Sequence, residues 1–181
     1  MSETMNVRVE VWPVAADEIG LWLISGLDAW RSGNVPYDLG PRDEVQYILY
    51  EHEIGDKLQV IHSTSWRADN GYVILTYIAA IHSPGLARQV WPEAAPISPD
   101  LAAQVGNPAP TPPTGEPIPR YIDVLLHGLR HFRFLTLTDG PARDALGEGW
   151  RKHLEAFAPA LSGMYEYPDE PITIDPSILD R

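Results

Sequence analysis

The chain predicts an α+β fold: a mixed β-sheet with a central hairpin, packed by helices and completed by a C-terminal helical pair. Three observations carry this expectation. Val7, Val9 and Val11 alternate with Arg8, Glu10 and Trp12 at the period of a strand. Leu58 to Arg67 and Tyr72 to Ile81 are rich in β-branched and aromatic residues, and Asn70-Gly71 between them supplies the positive φ angles of a tight turn. After residue 120, apolar side chains recur at helical spacing in two successive stripes.

In chain order, the first strand covers Val7 to Val14, with unlike faces, and Pro13 lies near its end because proline donates nothing to a ladder. Leu21 to Ser25, bounded by Gly20 and Gly26, suits a second short strand. Residues 27–40 contain Gly33, Pro36 and Gly40 and read as a loop. A helix over 41–54 follows. Pro41 fits its first turn, Asp43 and Glu44 suit its positive end, and Val45, Ile48, Leu49 and His52 form one stripe, with Gly55 as terminator. With Asn70-Gly71 at the centre of the hairpin turn, Trp66 faces Leu75, Ser65 faces Thr76 and Thr64 faces Tyr77. The uncharged run from Val73 to Ile81 implies a strand in the middle of the sheet.

Residues 84–119 hold ten of the eighteen prolines and read as an irregular crossover, with a short turn near Leu101 to Val105 and a polyproline-type stretch at Pro110 to Pro113. The first C-terminal helix, Tyr121 to Leu137, is apolar on Ile122, Leu125, Leu126, Leu129 and Phe132. Gly140-Pro141 breaks the chain, and Leu146, Trp150, Leu154 and Phe157 mark the second helix, stopping near Pro159. The expected organisation is a core over 1–83, a proline-rich crossover over 84–119, a helical pair over 120–165 completing the same domain, and an acidic tail over 166–181.

Composition excludes several classes. The net charge of −12 repels phosphate backbones and argues against general nucleic-acid binding. No run reaches the ~20 apolar residues that span a bilayer. Without cysteine there is no thiolate nucleophile, disulfide or Cys-ligated zinc. The start has no secretory pattern, so a cytoplasmic location is the default expectation.

Residues 7–81 resemble the Nudix hydrolases in order: two strands, a Trp-Arg-Ser-Gly turn at Trp30 to Gly33, a helix ending Glu53-Ile54-Gly55, and paired strands. That family's box begins at a glycine, has a glutamate in its loop, and ends Arg-Glu-apolar-x-Glu-Glu-x-Gly. Aligned on Gly55, its final glutamate is Glu53. The preceding glutamate becomes His52, the apolar position Tyr50, the Arg-Glu pair Ile48 and Leu49, the loop glutamate Gly40 and the opening glycine Asn34. The resemblance implies helix carboxylates converging on a divalent metal to activate water against a diphosphate. Ile48 and Leu49 put apolar groups where ligands are needed, so the implied scaffold has lost its usual chemistry. Glu44 and Glu51 share one helix flank and form a second candidate metal pair, with two solvated surface glutamates as the alternative.

Asp123, His127 and His131 recur one turn apart on the expected polar side of the first C-terminal helix, a spacing that suits zinc or a similar metal. Flanked by Arg120 and Arg130, His127 and His131 also suit an anionic ligand such as a nucleotide phosphate. The glutamate after the first histidine of metalloprotease helices is replaced by Gly128. Both His52 and His153 fall in apolar stripes. No Ser-His-Asp elbow or phosphate-cradling glycine loop occurs.

Three functions follow as expectations: a Nudix-like scaffold binding a nucleotide-type or other small ligand; an acidic interaction or inhibitor protein with a basic protein partner; and a metal-dependent enzyme centred on Asp123, His127 and His131. No motif requires a cofactor, and a divalent metal is the one these groups admit.

Overall fold

A computed structural model describes residues 6–36, 38–98 and 121–161, the first three residues of the last stretch as backbone alone. The fold is α+β. One mixed sheet contains β1 (Asn6–Ala16), β2 (Leu21–Leu23), β3 (Trp30–Arg31), β4 (Leu58–Asp69), β5 (Tyr72–His82) and β6 (Ala95–Ile97). The strand order is β4-β5-β1-β2-β6, with β3 beside β1. β1 runs parallel to β5 from Asn6↔Tyr72 to Ala16↔His82, so β5 is interior as the uncharged run predicts. Helix α1 (Pro41–Glu51) lies on one face, while α3 (Tyr121–Thr138) and α4 (Gly140–Leu154) cover the other. Among the described residues, no helix is long and apolar enough to cross a membrane.

Burial by both layers explains why β1 lacks the polar face that its alternation predicts. Val9, Val11 and Ala15 pack toward α1, whereas Trp12 and Val14 pack toward α3 and α4. Glu10 is as inaccessible as the valines.

The hairpin is antiparallel, with Trp66↔Leu75 and Ser65↔Thr76 as expected. Tyr77, however, pairs with Ser63 rather than Thr64, and the register shifts between Ser63 and Ser65. Thr64 is the extra residue of a β-bulge. Because side chains alternate along a strand, one inserted residue exchanges the faces of everything beyond it. Arg67 is thereby turned to the side of Glu10, and Trp66 to the side of α1.

Helix α1 begins as predicted, with Pro41 in its first turn and the Asp43 carboxylate accepting from the Gly40 amide at 3.2 Å. Its end differs. The last helical residue is Glu51, and Glu53, not Gly55, takes the left-handed conformation at φ 57°. The Ile54 amide then donates back to the Leu49 carbonyl at 2.9 Å, the bond that closes a helix C-terminus. This reversal returns Ile54 to the core, and Gly55 opens a single 3₁₀ turn, Gly55–Lys57.

On the other face, Gly128 lets α3 approach β5. A Cβ there would lie 2.5 Å from Ile78 Cγ1. The glycine that replaces a metalloprotease glutamate is therefore a packing requirement. Gly140 and Pro141, read as a break, form the first turn of α4, capped by Asp139, whose Oδ1 accepts from the Ala142 amide at 2.9 Å. Gly147 kinks α4 at φ 73°, ψ −179°.

Residues 84–98 are more ordered than the proline content suggests: a helical turn, α2 (Ala87–Val90), precedes β6, which pairs with β2. Likewise the loop over 27–40 contains β3. The turn near Leu101 to Val105, the Pro110 to Pro113 stretch and the acidic tail lie outside the described residues.

Candidate functional site

Of the helix positions aligned with the Nudix box, Ile48 and Leu49 face inward, whereas His52 and Glu53 are exposed. Val45, Ile48 and Leu49 are 0%, 5% and 1% exposed and pack with Val9 and Val11 of β1. Glu51 is exposed, Glu44 half-buried, and Tyr47 stands between them. A hydrogen bond to Glu51, then the charges of Glu51 and Glu44, raise the Tyr47 phenol above its ordinary value. Among the described residues, no three His, Asp or Glu side chains gather to hold a metal ion. His52, expected in the apolar stripe, is exposed and stacks on Trp30 with ring centroids 3.7 Å apart.

Beside α1, the same sheet face is only partly covered. Leu75 and Tyr77 are half-buried, and Trp66, beside Leu75, is 67% exposed. Burial raises the Tyr77 phenol, and the positive charge of Arg42 opposes that shift, which places the guanidinium within electrostatic reach. The result is an aromatic ledge whose Tyr77 feels the charge of Arg42. Such a surface suits a planar group carrying negative charge.

The opposite face holds a charge network. Thr76 Oγ1 donates to Glu10 Oε1 at 2.7 Å, and Arg67 Nη2 donates to Oε2 at 2.8 Å, with Arg67 Nη1 completing the fork on Oε1. Arg31 Nε stands 3.6 Å from Oε2 and is itself held by both oxygens of Asp28 at 2.7 Å. The Glu10 hydrogen bond raises the Arg67 guanidinium further above its already high value. Both Glu10 oxygens are engaged, so this carboxylate serves as an anchor for Arg67.

The predicted histidine face is not the solvated one expected. His131 is 4% exposed, its Nδ1 3.3 Å from the Ala160 carbonyl and its ring 4.9 Å from that of His62 on β4. Burial, then the neighbouring His62, push its pKa down to about 4. His127 is half-buried, and burial followed by the Arg130 charge lowers its pKa too. Arg130 Nε donates to the Ala158 carbonyl at 3.1 Å, so the Arg130 and His131 side chains both hold the segment after α4. Arg120 and the Asp123 side chain lie outside the described residues.

A cavity of about 250 Å³ opens at the far end of the sheet, lined by Leu21, Trp22, Pro96, Ile97, His153 and Phe157. His153 Nε2 is 2.7 Å from the Asp17 carbonyl oxygen. The Asp17 carboxylate accepts from the amides of Ile19, Gly20 and Ala87, fastening α2 to the β1–β2 turn. Burial raises its pKa, but these amides outweigh that and hold it below the ordinary value.

Comparison with protein-family models finds no match to this chain, and comparison with curated proteins finds none either.

Proposed function

We propose that residues 7–81 form a Nudix-like scaffold that binds a planar, anionic small molecule of the nucleotide type without metal-dependent hydrolysis. One observation carries the reading. Ile48 and Leu49 are committed to the core, while Trp66 is exposed and Leu75 and Tyr77 beside α1 are only half-buried, with the Arg42 charge within electrostatic reach of Tyr77. A base or other flat ring stacks on Trp66, and a phosphate meets Arg42. The element order and the placement of one helix on one face, with a helical pair on the other, support the scaffold.

Thermal-shift screening with nucleotides, with and without magnesium, tests this. A rise in melting temperature that does not require magnesium, and that Trp66→Ala and Arg42→Ala abolish, is expected. A flat response across a broad panel removes the reading.

A further inference from the structure

His131 presents a chemical problem that packing does not solve. Its Nε2 is buried and has no hydrogen-bond partner. The Ala160 carbonyl beside Nδ1 can only accept, so the ring proton sits on Nδ1 and Nε2 carries a lone pair. Across the helix–sheet junction, His62 Nδ1 lies 2.8 Å from the Ser63 carbonyl, which fixes the same tautomer. Two Nε2 lone pairs therefore belong to rings 4.9 Å apart, tilted by 51°.

We infer that His62 and His131 form a two-imidazole site for a divalent cation of the Ni²⁺, Cu²⁺ or Zn²⁺ class, joining β4 to α3. A carbonyl on Nδ1 is the outer contact that orients metal-binding imidazoles. Imidazole nitrogen selects these ions over Mg²⁺. β4 is an edge strand and His62 is half-buried, so an ion enters from the His62 side. Water completes the coordination, since no third His, Asp or Glu gathers there among the described residues. This inference is independent of the nucleotide reading.

The test uses the full chain, stripped with chelator and titrated near neutral pH with each metal alone. Ni²⁺ or Cu²⁺ is expected to raise the melting temperature and saturate at one equivalent, with Mg²⁺ inert. His62→Ala, on the half-exposed strand, is expected to weaken binding at least about tenfold, and His127→Ala to leave it unchanged. Electron paramagnetic resonance of the Cu²⁺ form is expected to show nitrogen coupling that His62→Ala reduces. No response to any of these ions overturns the inference, as does binding that survives His62→Ala or disappears in His127→Ala.

Discussion

Arg67 grips Glu10 with both arms of its guanidinium, although the two residues lie on strands separated by β5 and the Glu10 side chain has no solvent exposure. Thr76, on the intervening strand, adds the third bond. The geometry depends on the bulge at Thr64, which turns Arg67 to this face.

Removing this cation takes both charge-assisted hydrogen bonds from a buried carboxylate and leaves it only Arg31 at 3.6 Å and the Thr76 hydroxyl. Arg67→Met is expected to cost about 3–5 kcal/mol, measured by urea denaturation. Combining it with Glu10→Met is expected to recover most of the loss, because an apolar pair of similar volume has no charge to desolvate. A double variant as unstable as the single one shows that the ion pair is not what the site requires.

Gly128→Ala drives a methyl group into Ile78. The expected cost is about 1–3 kcal/mol, and adding Ile78→Val should relieve part of it. Unchanged stability in Gly128→Ala contradicts the close approach of α3 to β5.

Glu53 holds a left-handed conformation that glycine adopts freely. Glu53→Gly is expected to raise stability by up to about 1 kcal/mol, since the relieved strain outweighs the added freedom of the unfolded chain. The same denaturation curves read the gain, and a loss argues that the Glu53 side chain makes a contact worth more than the strain.

Acid weakens the fold through His131. Unfolded, the imidazole takes up a proton near 6.5; folded, only near 4. Its stabilisation is complete above the first value and declines as pH falls from 6.5 toward 4, by roughly 3 kcal/mol in all. Asp17 acts lower, its contribution present above 3.8 and lost as pH falls through its depressed folded value. Denaturation midpoints measured across this range are expected to fall steadily in the natural chain and less steeply in His131→Leu.

Elements set by local pattern were legible in the sequence. The Asn70-Gly71 turn fixed the hairpin, and apolar spacing located α1, α3 and α4. What escaped is non-local. Glu10 looked like the polar face of a strand because nothing in its neighbourhood announces Arg67, which follows it by 57 positions. The bulge at Thr64 leaves no mark in a run of small β-formers, yet it decides which side Trp66 and Arg67 occupy. β6 was hidden by Pro96, tolerated because β6 is an edge strand. The Asp123, His127 and His131 spacing was visible, but spacing does not say which side of α3 meets the sheet. His62, the partner that His131 meets, lies on another element.

In the proposed function, α1 buries apolar side chains at Ile48 and Leu49, while the ledge beside it takes the ligand. Amide NMR of the chain with a nucleoside diphosphate and Mn²⁺ addresses both halves at once. Shifts at Trp66 and Tyr77 without selective broadening at Glu44, Glu51 and Glu53 are predicted. Strong Mn²⁺ broadening at those glutamates, with release of hydrolysed product, contradicts the account.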